Sequence, residues 1–86
     1  MSQKAITYSK DALKTLRRCP KNVSANIRAK IENYANDPAS LANNVVTMAG
    51  MPGYARLRIG DWRVIFRNET TVLAIIRIAM RGQVYD

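Results

Sequence analysis

Hydrophobic residues recur with a helical period in the first half of the chain and alternate with polar residues in much of the second half. Ser9 suits the N-cap of a first helix, and this helix is expected to end near Pro20. A second helix should follow and stop at Asn36–Ser40, because the residue before Pro38 is pushed out of helical geometry. Its narrow apolar stripe consists of Val23, Ile27, Ile31 and Tyr34.

Five segments have the composition of β-strands. They are Lys4–Tyr8, Val45–Met48, Tyr54–Ile59, Trp62–Asn68 and Thr71–Ala79. Gly60-Asp61 suits the tight turn of a hairpin. The order β-α-α-β-β-β-β predicts one α+β domain over residues 1–86. We expect its two N-terminal helices to pack together on one face of a small, mostly antiparallel sheet.

The alternation in these strands predicts an apolar sheet face and an open basic face. In the hairpin, Leu57 and Ile59 are expected under the helices, and Trp62 with them. In the last strand, the side with Val72, Ala74, Ile76 and Ile78 is expected to be the core side. The open face would then carry Arg56, Arg58, Arg63, Arg67, Arg77 and Arg81. The alternative is an ordinary solvated sheet face, although such faces usually mix in Lys, Glu, Thr and Ser.

Charge strengthens the interpretation of the open face as a binding surface. The chain has 14 Lys and Arg against 6 Asp and Glu, a net charge of +8. Such an excess indicates a polyanionic partner, either nucleic acid or an acidic protein segment. The five lysines all precede residue 31, whereas every basic residue after Tyr54 is an arginine. Arginine has a rigid donor fork that matches phosphate oxygens in pairs.

The residues that are missing limit the chemistry. The chain has no histidine, which excludes a paired-histidine ribonuclease mechanism. Cys19 alone cannot form a zinc site, and the carboxylates show no metal-ligand spacing, so no metal or cofactor is predicted. The longest apolar run, Val72–Ile76, is too short to span a bilayer. The N-terminal segment lacks the apolar region of a secretory signal, so we expect a cytoplasmic protein without a membrane partner.

The hairpin and the C-terminal segment resemble a known family. The string LRIGDWRVI, residues 57–65, matches the superfamily pattern of a basic residue, a Gly-polar turn, an aromatic residue and a second arginine. A strand followed by Arg81 and then by Val84-Tyr85 matches the end of the RelE-type branch. The chain therefore resembles the RelE/ParE superfamily of bacterial toxins, and the RelE-type mRNA interferases fit best.

The resemblance implies a toxin that binds the ribosomal A site and cuts the mRNA there without a metal ion, and that is neutralised by a cognate antitoxin. The ribose 2′-hydroxyl would attack the adjacent phosphodiester. By position, the catalytic residues would be Arg56, Arg63, Arg81 and Tyr85. RNA contacts are expected from Arg58 and its open-face neighbours Tyr54, Arg67 and Arg77. At position 56 many relatives have lysine instead.

The general base stays open at this point. Tyr85 near several arginines would have its phenolate favoured, which would suit a base, but a stacking or orienting role fits equally well. Two other functions also stay open. ParE-type members share the fold but poison DNA gyrase, and a non-catalytic RNA- or DNA-binding module would use the same basic face.

Overall fold

The structure, a computed structural model that describes residues 4–83, has the predicted α+β architecture. The elements are β1 (Ala5–Tyr8), α1 (Lys10–Arg18), α2 (Lys21–Asn36), a 3₁₀ helix (Pro38–Asn44), β2 (Val45–Thr47), β3 (Tyr54–Ile59), β4 (Trp62–Asn68) and β5 (Val72–Met80). The sequence predicted each strand and both α-helices but not the 3₁₀ helix. Among residues 4–83, no helix is long and apolar enough to cross a membrane.

The five strands form a single mixed sheet in the order β1-β5-β4-β3-β2. β1 runs parallel to β5, and the other neighbouring strands pair antiparallel. The β3–β4 hairpin turns at Gly60-Asp61, as predicted, and Gly60 has φ of +58°. A positive φ at the first of two loop residues is typical of a type II′ turn and favours glycine there.

The two α-helices pack on the same face of the sheet and close the hydrophobic core. Ser9 caps α1, since its Oγ accepts a hydrogen bond of 3.0 Å from the backbone N–H of Ala12. The predicted stripe of α2 is confirmed, with Ile27 and Ile31 fully buried and the ring centroid of Tyr34 5.2 Å from that of Phe66. Trp62 packs partly buried against the same core, as expected.

The predicted alternation of β5 is wrong in the first half of the strand. Leu73 and Ile75 are the buried residues there, while Ile76 is 36% exposed. The cause is a bulge: Phe66 pairs with Ile75 and Ile65 with Arg77, so Ile76 has no partner on β4. One extra residue reverses the phase of the strand. Ile78 therefore returns to the core and Arg77 to the open face.

Ser9 also holds this bulge in place. Its backbone N–H donates to the carbonyl of Ile75 at 2.9 Å, and its hydroxyl donates to the carbonyl of Ile76 at 2.5 Å. A bulge leaves a backbone group without its ladder partner, and an unpaired carbonyl in a sheet is costly. The N-cap residue of α1 therefore also provides hydrogen bonds to the irregular part of β5.

Candidate nucleic-acid interface

The register of the hairpin places the arginines side by side on the face opposite the helices. Arg58 lies across from Arg63, and Arg56 lies across from Ile65. Because side chains alternate between the faces of a strand, all three arginines point away from the core residues Leu57 and Val64. The predicted basic face is therefore present on β3 and β4.

A backbone contact brings Arg81 to the same place. The N–H of Arg81, just after β5, donates to the carbonyl of Asp61 in the hairpin turn at 2.7 Å. This bond ties the end of β5 to the β3–β4 turn. Three separate segments of the chain thus deliver arginines to one end of the open face.

Arg63 differs from its neighbours because it is buried, with 9% of its surface exposed. Its Nη1 donates to the carbonyls of Gly60 at 2.9 Å and Trp62 at 3.1 Å. A buried charge needs such partners to offset its lost hydration. The sequence predicted Arg63 simply as an open-face arginine. The structure gives it a second task, which is to hold the hairpin turn.

The arginines line a cleft with a volume of about 390 Å³, here named the arginine cleft. Its described lining consists of Asn43, Asn44, Val46, Arg56, Arg58, Arg63 and Arg81. The lining among residues 4–83 thus has four positive charges and no carboxylate. Like charges repel and lower stability when they converge, so such a cluster favours a function that binds an anion. The cleft is also large enough for a small ligand.

Part of the predicted site lies elsewhere on the open face. Tyr54 and Arg67 pair across β3 and β4, with the Arg67 guanidinium carbon 5.9 Å from the Tyr54 ring centroid. Arg67 Nε also lies 3.5 Å from a carboxylate oxygen of Glu69. Arg77 lies on β5 across from Ile65. None of these three predicted RNA-binding residues lines the arginine cleft. Tyr85 lies outside the described residues.

The opposite wall of the cleft was missed by the sequence reasoning. Asn43 and Asn44 end the 3₁₀ helix, and Val46 lies across from Arg56 on β2 with 54% of its surface exposed. Asn44 Nδ2 donates to the carbonyl of Arg58 at 3.3 Å, which joins this wall to β3. Only the pairing of β2 with β3 brings these residues to the arginines. The one local signal is the alternation that places Val46 on the open face.

The described residues offer no metal centre. Between residues 4 and 83, no three Cys, His, Asp or Glu side chains lie close enough together to hold a metal ion. Cys19 lies apart from the cleft, partly buried against the core, and burial raises the pKa of its thiol. The cationic side chains that line the cleft among residues 4–83 are its four arginines.

The chain matches a known protein family over nearly its whole length. The family described as ParE toxin of type II toxin–antitoxin system, parDE, matches residues 6–85. No curated protein sequence is significantly similar to the chain. The matched segment includes the hairpin, all four cleft arginines and the C-terminal positions that sequence reasoning had singled out.

Solved structures share the fold at low sequence identity. The archaeal RelE–RelB complex from Pyrococcus horikoshii OT3 contains a chain with a TM-score of 0.78 and 22% identity, covering 95% of this chain and 99% of that one. YafQ from E. coli has a TM-score of 0.75 and 17% identity, with coverages of 98% and 100%. For the isolated E. coli RelE toxin the TM-score is 0.72 and the identity 17%, with coverages of 90% and 83%.

Proposed function

The chain belongs to the ParE toxin family of type II toxin–antitoxin systems, within the RelE/ParE superfamily, and from this premise we propose that it is a ribosome-dependent mRNA endonuclease. The observation that carries the proposal is the convergence of Arg56, Arg58, Arg63 and Arg81 in one cleft. A site for phosphodiester cleavage needs positive charge around one phosphate, and the arginine cleft supplies it from three segments of the chain.

In the proposed reaction, the 2′-oxygen of a ribose attacks the adjacent phosphorus. The bond from phosphorus to the 5′-oxygen of the next nucleotide then breaks. The products are a 2′,3′-cyclic phosphate and a 5′-hydroxyl. One proton leaves the 2′-hydroxyl and one is delivered to the departing 5′-oxygen. The phosphorane formed on the way carries extra negative charge, which arginine donors stabilise more strongly than they stabilise the substrate.

The proposed role of each residue follows from its place in the arginine cleft. Arg56 and Arg81 would contact it, and the buried Arg63 would supply a fixed positive charge, since its guanidinium is already held by backbone carbonyls. Arg58 would bind the RNA backbone at the edge of the cleft. Tyr85 is our candidate for accepting the 2′-hydroxyl proton, with no histidine in the chain to do so.

The rest of the open face would guide the mRNA to the cleft. Tyr54 and Arg67 pair across β3 and β4 outside the cleft, with the Arg67 guanidinium carbon 5.9 Å from the Tyr54 ring centroid. Arg77 lies on β5, across from Ile65 of β4. Aromatic rings and guanidinium planes both stack on nucleobases of single-stranded RNA. These three residues are proposed to bind RNA and not to take part in bond cleavage.

An antitoxin and a ribosome complete the proposed set of partners. Solved relatives of this fold include RelE–RelB complexes from archaea and bacteria, which supports a protein antitoxin here as well. An acidic or amphipathic antitoxin segment would neutralise the basic open face. A ribosomal target would put the proposed action in the cytoplasm.

A DNA gyrase poison is the second candidate, because the matching family is named for ParE toxins. The two candidates make different demands on Arg81. A nuclease needs this arginine at the reacting phosphate, whereas inhibition of gyrase gives no evident reason to bring it to Arg56, Arg58 and Arg63. The convergence in the cleft therefore favours the nuclease.

The test is a cell-free translation reaction in which new mRNA 5′ ends are mapped after the purified protein is added. We expect cuts inside codons, only when ribosomes are present, which disappear with Arg81→Ala and weaken with Tyr85→Phe. Intact mRNA together with inhibited gyrase supercoiling would assign the chain to the second candidate. RNA binding without any cut, with a steep salt dependence, would indicate a non-catalytic binder.

A further inference from the structure

A second cavity lies beside the arginine cleft and shares a wall with it. It has a volume of about 220 Å³ and is lined by Asn26, Lys30, Leu41, Asn44, Arg58, Ile59 and Gly60. Asn44 and Arg58 line both spaces. This cavity, here named the α2 cavity, therefore continues the cleft towards helix α2.

Local geometry explains why its polar residues come together. Asn26 and Lys30 are four residues apart on α2, so they lie one above the other on the same side of the helix. The neighbouring Ile27 and Ile31 are fully buried and fix the rotation of α2 against the sheet. The hydrogen bond from Asn44 to the carbonyl of Arg58 then fixes the shared wall.

The chemistry of the α2 cavity suits a sugar-phosphate group. Lys30 and Arg58 are cationic donors, and the amides of Asn26 and Asn44 add neutral ones. Leu41 on the 3₁₀ helix supplies apolar surface beside them. The lining between residues 4 and 83 has no carboxylate that would repel a phosphate. A strand that enters through one space can continue into the other, because Arg58 faces both.

We propose that the α2 cavity binds the nucleotide next to the one cleaved in the arginine cleft, with Lys30 on its phosphate. This inference rests on the proposed function, because it assumes that a single RNA strand occupies the arginine cleft. It adds a binding site towards helix α2, in which Arg58 is the one hairpin arginine of the lining among residues 4–83.

The test uses the binding of a labelled 2′-O-methyl RNA hexanucleotide, which cannot be cleaved because its 2′-oxygens are blocked. Fluorescence anisotropy measures its affinity for the full chain between about 50 and 200 mM salt. For Lys30→Gln we expect weaker binding and a log–log salt slope that is shallower by about 0.7, the value for one lost phosphate contact to a single strand. The midpoint of urea unfolding should stay the same, since Lys30 is exposed.

Lys21→Gln is the matched control. It removes the same charge from the same helix, but nine residues away and on the opposite side of α2. We expect its salt slope to equal that of the unchanged protein. Equal slopes for Lys30→Gln and the unchanged protein, or equal losses in both variants, would overturn the proposal.

Oligonucleotide length adds a second check. A 2′-O-methyl dinucleotide has a single internal phosphate, which would bind in the arginine cleft. The Lys30→Gln variant should therefore bind the dinucleotide with the same affinity as the unchanged protein. It should bind more weakly only when the oligonucleotide has three or more nucleotides. An equal deficit for both lengths would contradict a separate site in the α2 cavity.

The same samples separate this inference from the proposed function. If the unchanged protein cuts no mRNA on ribosomes but Lys30→Gln still lowers the salt slope, the α2 cavity stands as a nucleic-acid site and only the nuclease assignment fails. If mRNA is cut and the slope does not change, the nuclease assignment stands and the α2 cavity proposal fails.

Discussion

The two faces of the sheet are built from alternating residues of the same strands, yet their side chains have opposite effects on stability. On the helix side, Leu57 and Val64 are almost fully buried among other apolar side chains, which stabilises the fold. On the open side, Arg58 and Arg63 lie across from each other, an arrangement of like charges that destabilises a sheet. Packing therefore accounts for the helix side, whereas on the open side we propose that an anionic ligand offsets the repulsion.

The largest expected effect is a loss of stability when a buried isoleucine beside the bulge of β5 is truncated. Ile75→Ala should lower the free energy of unfolding by about 2–5 kcal/mol, the range for truncating a buried isoleucine. Its neighbour Ile76 is partly exposed in the bulge, so Ile76→Ala should cost well under half as much. Urea unfolding of the two variants measures both values. A larger loss for Ile76→Ala would mean that uninterrupted alternation, and not the bulge, describes β5.

The next effect separates two arginines of the open side. Arg56 and Arg77 flank Ile65 in the sheet, but only Arg56 lines the arginine cleft. Arg56→Ala should lower the rate of mRNA cleavage by about 10²–10³, as for the loss of one donor to a transition-state oxyanion. Arg77→Ala should lower it by less than about tenfold, because it would lose only an RNA contact. Equal losses in the two variants would contradict a discrete cleft.

A smaller effect tests whether Arg63, which lies on the open face, also stabilises the fold. Arg63→Ala should lower stability by about 1–3 kcal/mol, because the carbonyls of Gly60 and Trp62 lose their donor. Arg58→Ala, directly across the hairpin at an exposed position, should change stability by about 0.5 kcal/mol or less. Thermal or urea unfolding compares the two. If both variants are as stable as the unchanged protein, Arg63 has no structural role.

The smallest effect is a pH dependence from the helix side. Burial raises the pKa of Tyr34, so its phenol stays neutral in the folded state after the unfolded chain has begun to ionise near pH ~10. This contribution to stability is therefore complete below about pH 10 and is lost as the pH rises above it. Tyr34→Phe should make the decline shallower. It should not abolish the decline, because burial also raises the pKa of Tyr8. An unchanged decline would contradict the assignment.

Local sequence signals were sufficient for most of the fold. Ser9 and Pro20 marked the bounds of α1, and Gly60-Asp61 marked the hairpin, because caps and tight turns depend on a few adjacent residues. The bulge at Ile76 was not predictable. Its segment VLAII is apolar throughout, so no polar residue indicates which side chains face the core. The bulge also depends on a hydrogen bond from Ser9, which is far away in sequence.

Of the two walls of the arginine cleft, only the arginine wall could be predicted from the sequence. The arginines of the hairpin alternate with apolar residues, and the register confirmed their shared face. The wall formed by Asn43 and Asn44 arises from the pairing of β2 with β3, which no local pattern encodes. The burial of Arg63 depends on carbonyls that only the folded turn presents. The role of Tyr85 stays a prediction.

The central claim is that the arginine cleft cuts mRNA on the ribosome, and the most direct test is the single-turnover rate at which 5′-hydroxyl ends form on mRNA in the ribosomal A site. Arg81→Ala is compared with Arg17→Ala, which removes the same charge from the exposed end of α1. We predict cleavage by the unchanged protein, a nearly unchanged rate for Arg17→Ala and a loss of about 10²–10³ for Arg81→Ala. No 5′-hydroxyl ends from the unchanged protein, or equal rates for the two variants, would contradict the claim.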